Sequence, residues 1–273
     1  MTAFNGEFDF PPTHLVTDLD GTYLPLPEHP ENHVALRTLA EARTATGYGL
    51  VFCTGRHFES VEAVMQELSL PNPDWIICDV GTSIYHLTDD RFEPYTPYLD
   101  HLADQVGEQP RSAVETLLKP LEHLSLQCDA HQGKYKISFE CDTVHTDTLV
   151  SKIQKKLSDQ DLPYEVHGSI DPFLDCGLVD VLPKQVSKAY AVQWLATHAD
   201  FNPQSVIYAG DSGNDLTALT AGFRAILVAN HSKGLDQQVE ARLGDTAEHL
   251  LFKATKTATS GVLEGCRHFG LLS

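Results

Sequence analysis

The chain has 273 residues, of which 42% are apolar and 21% charged. That is enough apolar side chain for a core domain with a smaller companion, and too little charge for a disordered chain. With 19 basic residues against 38 acidic ones the formal net charge is −19, which argues against a nucleic-acid partner and obliges any phosphate site to supply its own local positive charge.

The N-terminal stretch MTAFNGEFDFPPTH is acidic and has no apolar signal core, so it reads as a short arm before the first strand. HLVTDLD (14–20) is the first expected strand, and residues 31–46 carry helical spacing through Val34, Leu36, Leu39 and Ala40. GLVFCTG (49–55) gives a second buried strand, followed by a helix near 57–69. PNPDWIICDVG (71–81) gives a turn and a third strand. Continuous apolar strands separated by helices indicate a parallel sheet covered on both faces.

The rhythm changes after about residue 85. SLQCDA, KYKISFECD and YEVHGSI alternate apolar and polar residues, the mark of strands with one solvated face. Helical patterns lie near 110–122 and 146–160. From SKAYAVQWLATH (187–198) the strand–helix rhythm returns, with SVIYAGD (205–211) and RAILVAN (224–230) as strands. The expected architecture is α/β: a doubly wound parallel-sheet core over residues 1–87 and 182–273, interrupted by an α+β cap over 88–181. No apolar run approaches the ~20 residues of a membrane span, so no membrane partner is expected. The six cysteines (Cys53, Cys78, Cys128, Cys141, Cys176 and Cys266) form no C-x-x-C pair and read as free thiols of a reducing cytoplasm.

Four short clusters carry chemistry, each beside an expected strand end, where open parallel sheets place their sites. Asp18 and Asp20 lie two apart, project to one side of a strand and can share a pocket. Gly21 lets the chain turn there. Such a pair repels itself and calls for a hard cation with oxygen ligands, such as Mg²⁺, although turn and cap chemistry can use the same residues. A calcium loop is excluded, because Thr22, Tyr23 and His29 stand where it needs an oxygen ligand, Gly and Glu. Thr54-Gly55-Arg56 offers a hydroxyl and backbone N–H groups to a phosphate, or simply caps a helix. Lys188 can neutralise both a carboxylate and a phosphate, with Lys184 as its competitor for that role. In Gly210-Asp211-Ser212-Gly213-Asn214-Asp215 the two aspartates are four apart, which aligns them on a helical turn as metal ligands.

In order and placement these clusters resemble the four motifs of the haloacid dehalogenase superfamily of phosphatases. Only 31 residues separate Thr22 from Thr54, whereas 133 separate Thr54 from Lys188. The resemblance therefore points to members whose α/β cap is inserted between the second and third motifs. LVTDLDGTYL, FCTGR, IICDVGTSIYH, KYKISFE, VDVLPKQVSKAYAVQWL, YAGDSGNDLTAL and GVLEGCRHFG are further similar to one branch, the sucrose-phosphate phosphatases, over nearly the whole chain. The segments Asp79-Val80-Gly81-Thr82 and GVLEGCRHFG are more specific to that branch than the catalytic motifs. The chain departs from the branch in Gly21, where Asn is frequent, and in a longer N-terminal arm.

The resemblance implies that Asp18 is the nucleophile, forming an aspartyl-phosphate. Asp20 would be the acid and then the base. Thr54, Gly55, Lys188 and Asn214 would hold the phosphoryl group. Mg²⁺ would be held by Asp18, the Asp20 main-chain carbonyl and Asp211, with Asp215 orienting its waters or Lys188. Lys136 of the Lys-Ile-Ser stretch would be a sugar ligand. The expected substrate is sucrose 6-phosphate or another disaccharide phosphate such as mannosylfructose phosphate, handled by a cytoplasmic monomer. Two alternatives are a non-catalytic partner of a sucrose-phosphate synthase and a phosphomutase on the same fold.

Overall fold

The computed structural model describes residues 9–109, 111–171, 176–199 and 201–272. The first eight residues of the expected N-terminal arm lie outside them. The strands are β1 (His14–Thr17), β2 (Gly49–Cys53), β3 (Trp75–Cys78), β4 (Ser83–Thr88), β5 (Arg91–Pro94), β6 (Ser125–Leu126), β7 (Ile137–Asp142), β8 (Tyr164–Asp171), β9 (Cys176–Pro183), β10 (Val206–Gly210), β11 (Arg224–Leu227) and β12 (Leu251–Lys253). The helices are α1 (Pro30–Thr46), α2 (Phe58–Glu67), α3 (Thr96–Val106), α4 (Arg111–Leu118), α5 (Thr146–Asp159), α6 (Lys188–His198), α7 (Leu216–Leu219), α8 (Leu235–Leu243), α9 (Ala247–Leu250) and α10 (Ala258–His268).

Eight strands form one sheet in the order β12-β11-β10-β1-β2-β3-β4-β5. The six from β12 to β3 run parallel, and β4 and β5 are added antiparallel at one edge. Alternate residues of each parallel strand enter opposite faces, which explains the unbroken apolar runs. Leu15, Leu50, Phe52, Ile76 and Ile207 pack with α1, α2 and α10 on one face. Val16, Val51, Cys53, Ile77 and Tyr208 pack with α6, α7 and α8 on the other. The chain leaves β1 for β2 on one side and returns to β10 on the other. This puts a topological switch point at the carboxyl end of β1, where such sheets bind ligands.

A second sheet, β6-β7-β9-β8, is antiparallel throughout. Its apolar face (Ile137, Phe139, Val179, Val181) packs with Leu149, Ile153 and Leu157 of α5. The α/β core with an inserted antiparallel unit is the expected fold class.

The expected boundary at 87/88 needs correcting. It cuts through β4, and Arg91–Pro94, expected in the cap, forms β5 on the edge of the larger sheet. The cause is the turn at Asp89 and Asp90, both at positive φ, which folds β4 back as a hairpin in register with the core edge. At the other end β9 runs to Pro183, two residues past the expected boundary at 181.

Candidate active site

β1 ends at Thr17, and Asp18 follows with its backbone N–H donating to the Ala209 carbonyl at 2.9 Å, which fixes it between β1 and β10. Beyond it the Tyr23 N–H reaches back to Asp18 O at 3.2 Å and the Leu24 N–H to Leu19 O at 2.9 Å, five residues each time. This wide turn leaves Gly21 at φ +71°. A Cβ at Gly21 would stand 2.5 Å from Asp211 Oδ2, so glycine here also gives the Asp211 carboxylate its room. The neighbouring Thr22 hydroxyl donates to Asp211 Oδ1 at 2.9 Å.

Ser187 caps α6 by accepting from the Tyr190 N–H at 3.2 Å, so the helix begins at Lys188. Lys188 is fully buried. Its Nζ donates to Asp18 Oδ1 at 2.8 Å and to Asp215 Oδ1 at 2.7 Å. Lys184, its competitor in the sequence, is exposed. Asp215 is saturated. Oδ1 also accepts from the Tyr208 hydroxyl at 2.6 Å, and Oδ2 accepts from the Asp211 and Ser212 N–H groups at 3.1 Å and the Ser212 hydroxyl at 3.3 Å.

Asp18, Asp211 and Asp215 are all buried, and each presents a carboxylate oxygen within 4.8 Å of the others. Burial pushes the Asp18 carboxyl well above its ordinary value despite Lys188. Burial first, then Asp215, pushes Asp211 up to about 7. Three buried carboxylates around one ammonium leave negative charge that a hard divalent cation would balance, and Asp18 and Asp211 keep lone pairs for it. The residues present therefore fit the expected magnesium. Asp215 has its lone pairs taken by donors, so its bonding suits holding Lys188 rather than touching a metal.

Thr54 follows β2, beside Asp18 in the next strand over, and is buried. Its Oγ1 accepts from the Arg56 N–H at 3.2 Å. The Asn214 amide faces Gly55, with Nδ2 3.8 Å from where a Cβ would be. Asp20 is the expected site residue placed least simply. Its carboxylate accepts two bonds from Arg56, Nε to Oδ2 at 2.7 Å and Nη2 to Oδ1 at 2.6 Å. Lys136 is buried beneath the second sheet, with Nζ 3.6 Å from Asp79 Oδ1.

The structure gathers Asp18, Asp211, Asp215 and Lys188 as the sequence order suggested; Thr22 and Arg56 stood in the sequence clusters without an orienting role, and Tyr208 was not singled out at all. Tyr208 had a local signal, three residues before Asp211 on the strand that leads to it. The Asp20–Arg56 pair joins the turns that follow two different strands, and nothing in the sequence pairs them.

The profile of the family described as sucrose-6F-phosphate phosphohydrolase matches residues 11–270. A Nitrosococcus oceani protein bearing the general name HAD-like hydrolase is 30% identical over 93% of this chain and 71% of its own length. The mannosylfructose-phosphate phosphatase of Agrobacterium fabrum is 29% identical, over 81% of this chain and 83% of its own. Among solved structures, the Synechocystis sucrose-phosphatase in complex with sucrose and phosphate superposes with a TM-score of 0.78 at 25% identity, covering 96% of this chain and 99% of that one. With the switch-point carboxylates and their buried lysine in place, the chain belongs to the sucrose-6F-phosphate phosphohydrolase family, within the haloacid dehalogenase superfamily.

Proposed function

We propose that this phosphoric monoester hydrolase cleaves sucrose 6-phosphate to sucrose and phosphate, through an aspartyl-phosphate on Asp18. The observation that carries the reading is the buried Asp18 carboxylate at the sheet's switch point, with Lys188 on one oxygen. A carboxylate so held is oriented, with an ammonium beside it to offset the charge that burial disfavours, as a nucleophile needs.

In the first half-reaction an Asp18 oxygen attacks phosphorus and the sugar oxygen leaves with a proton from Asp20. In the second, Asp20 takes a proton from water as that water attacks the phosphoryl-aspartate. Lys188, the Thr54 hydroxyl, the N–H groups after Thr54 and the Asn214 amide hold the phosphoryl oxygens. Asp215 and Tyr208 keep Lys188 aimed. Mg²⁺ held by Asp18, Asp211 and the Asp20 carbonyl would offset the repulsion between nucleophile and phosphate. Arginine is donor-only, so both Asp20 oxygens act as acceptors toward it. Proton delivery needs at least one of them released. Lys136, from the cap, is assigned to the sugar.

The A. fabrum relative favours mannosylfructose phosphate as the second substrate reading. A non-catalytic synthase partner is disfavoured, because no catalytic carboxylate is missing. Free cysteines suit a cytoplasmic protein, which we take to be a monomer. Among the described residues no helix is long and apolar enough to cross a membrane. The test is phosphate release, with Mg²⁺, from sucrose 6-phosphate, mannosylfructose phosphate, trehalose 6-phosphate and glucose and fructose 6-phosphates. Preference for sucrose 6-phosphate, abolished by EDTA, is the expected result. Comparable turnover of the hexose phosphates would move the protein to a broader phosphatase, and activity persisting in EDTA would remove magnesium from the mechanism.

A further inference from the structure

After β3 the backbone passes through Asp79, Val80 and Gly81 at φ +53°, +58° and +100°. The left-handed region is costly for a β-branched valine and persists only where the surroundings over-determine it. Here they do. The Asp79 N–H donates to Arg56 O at 2.9 Å and the Val80 N–H to Thr54 O at 3.1 Å, which ties the loop to the phosphate-holding turn. Gly81 lies so close to the start of α6 that a Cβ would stand 2.4 Å from Ser187 O, and its own carbonyl accepts from the Tyr98 hydroxyl at 2.6 Å.

This strained turn places one carboxylate at the boundary between core and cap. Asp79 is 7% exposed and Lys136, arriving from the cap, is 5% exposed. Asp79 Oδ2 accepts from the Ser83 hydroxyl at 3.1 Å. Its Oδ1 is buried without a hydrogen-bond partner, with the Lys136 ammonium at 3.6 Å, just out of reach. Burial raises the Asp79 carboxyl and Lys136 pulls it back. An orphaned buried carboxylate oxygen costs free energy, and one beside a site is a place prepared for a donor. A hydroxyl oxygen fits: it can lie about 2.8 Å from both groups when they stand 3.6 Å apart, donating to the carboxylate and accepting from the ammonium.

We propose that Asp79 is a substrate-binding residue which, with Lys136, holds one hydroxyl of the sugar, so that a core loop shares with the cap the choice of sugar. The inference rests on the sugar-phosphate reading of the site. The test compares wild type and Asp79→Asn, a residue that tolerates positive φ, on the best sugar phosphate and on 4-nitrophenyl phosphate, whose leaving group has no hydroxyl to read. Asp79→Asn should raise KM for the sugar phosphate roughly tenfold to a hundredfold, the range for a hydrogen bond to a charged group, and leave the aryl phosphate within about twofold. Equal losses on both substrates would make Asp79 structural and overturn the proposal, as would no loss on either. Should the variant fail to fold, monodeoxy sugar phosphates on wild type carry the same test. One position should lose a similar factor, and a flat series would overturn the inference. A wild type that hydrolyses the aryl ester but no sugar phosphate would sink the sugar reading itself, an outcome distinct from a sugar phosphatase indifferent to Asp79.

Discussion

The floor and the roof of the site are built differently. On the floor, at the carboxyl ends of β1 and β10, Asp215 accepts from Lys188, Tyr208, Ser212 and two backbone N–H groups. Lys188, Asp215 and Tyr208 there are sealed from solvent. On the roof the second sheet presents a looser polar row. Ser138 donates to Asp180 at 2.5 Å and lies two residues from Lys136 on the same face. His167 pairs opposite Asp180 and contacts Glu165 at 3.0 Å, both half-buried. Groups with every bond satisfied cannot readily adopt another arrangement, and groups with spare valence can. The floor is therefore suited to a fixed reaction and the roof to a variable leaving group.

The most severe way to break that contrast is at the floor's centre. Asp18→Asn should lower turnover on every substrate, by on the order of 10⁴-fold or more, with the circular dichroism of the fold retained. Surviving activity would mean that another group attacks phosphorus. Asp20→Asn should cost on the order of 10²–10⁴ on a sugar phosphate. Its cost should be much smaller on 4-nitrophenyl phosphate, whose leaving group needs no proton. Arg56→Met, freeing Asp20 from its two arginine bonds, should show the same dependence on leaving group with a smaller loss. An equal loss on both esters would instead place Arg56 on the phosphoryl group.

Lys188→Met breaks the floor's packing as well as its chemistry. It strands Asp18 and Asp215 without their shared cation in a fully buried site. Removing one partner of such a group typically destabilises by about 3–5 kcal/mol, measurable by urea unfolding. A loss below about 1 kcal/mol would mean that the carboxylates simply take up protons.

The floor was more legible in the sequence than the roof, from which only Lys136 was named, for a physical reason. Asp18, Asp20, Thr54, Lys188, Asp211 and Asp215 each sit within three residues of the end of a strand or the start of a helix, so the strand–helix rhythm together with the order of the motifs gathers them at one edge of one sheet. Asp79 meets Lys136 across 57 positions, through a backbone turn with φ values that no side-chain pattern announces. The β4–β5 hairpin was missed because its short strands carry polar and charged residues and sit on an edge, where alternation is weak.

The smallest expected effect concerns the floor's charge. In the folded chain Asp211 is pushed up to about 7 by burial and by Asp215, while in the unfolded chain it is an ordinary carboxylate near ~3.9. Between those values the folded state holds the extra proton, so it contributes stability that is present at low pH and is lost as pH rises through about 7. Metal-free protein should accordingly show a thermal midpoint that falls as pH rises over that window, and Asp211→Asn should flatten the fall. A cation at Asp211 must displace the same proton, so stabilisation by added Mg²⁺ should grow with pH across the same range. A magnesium effect independent of pH would place the cation away from Asp211, and the carboxylate cluster would then be a structural knot rather than the floor of a metal site.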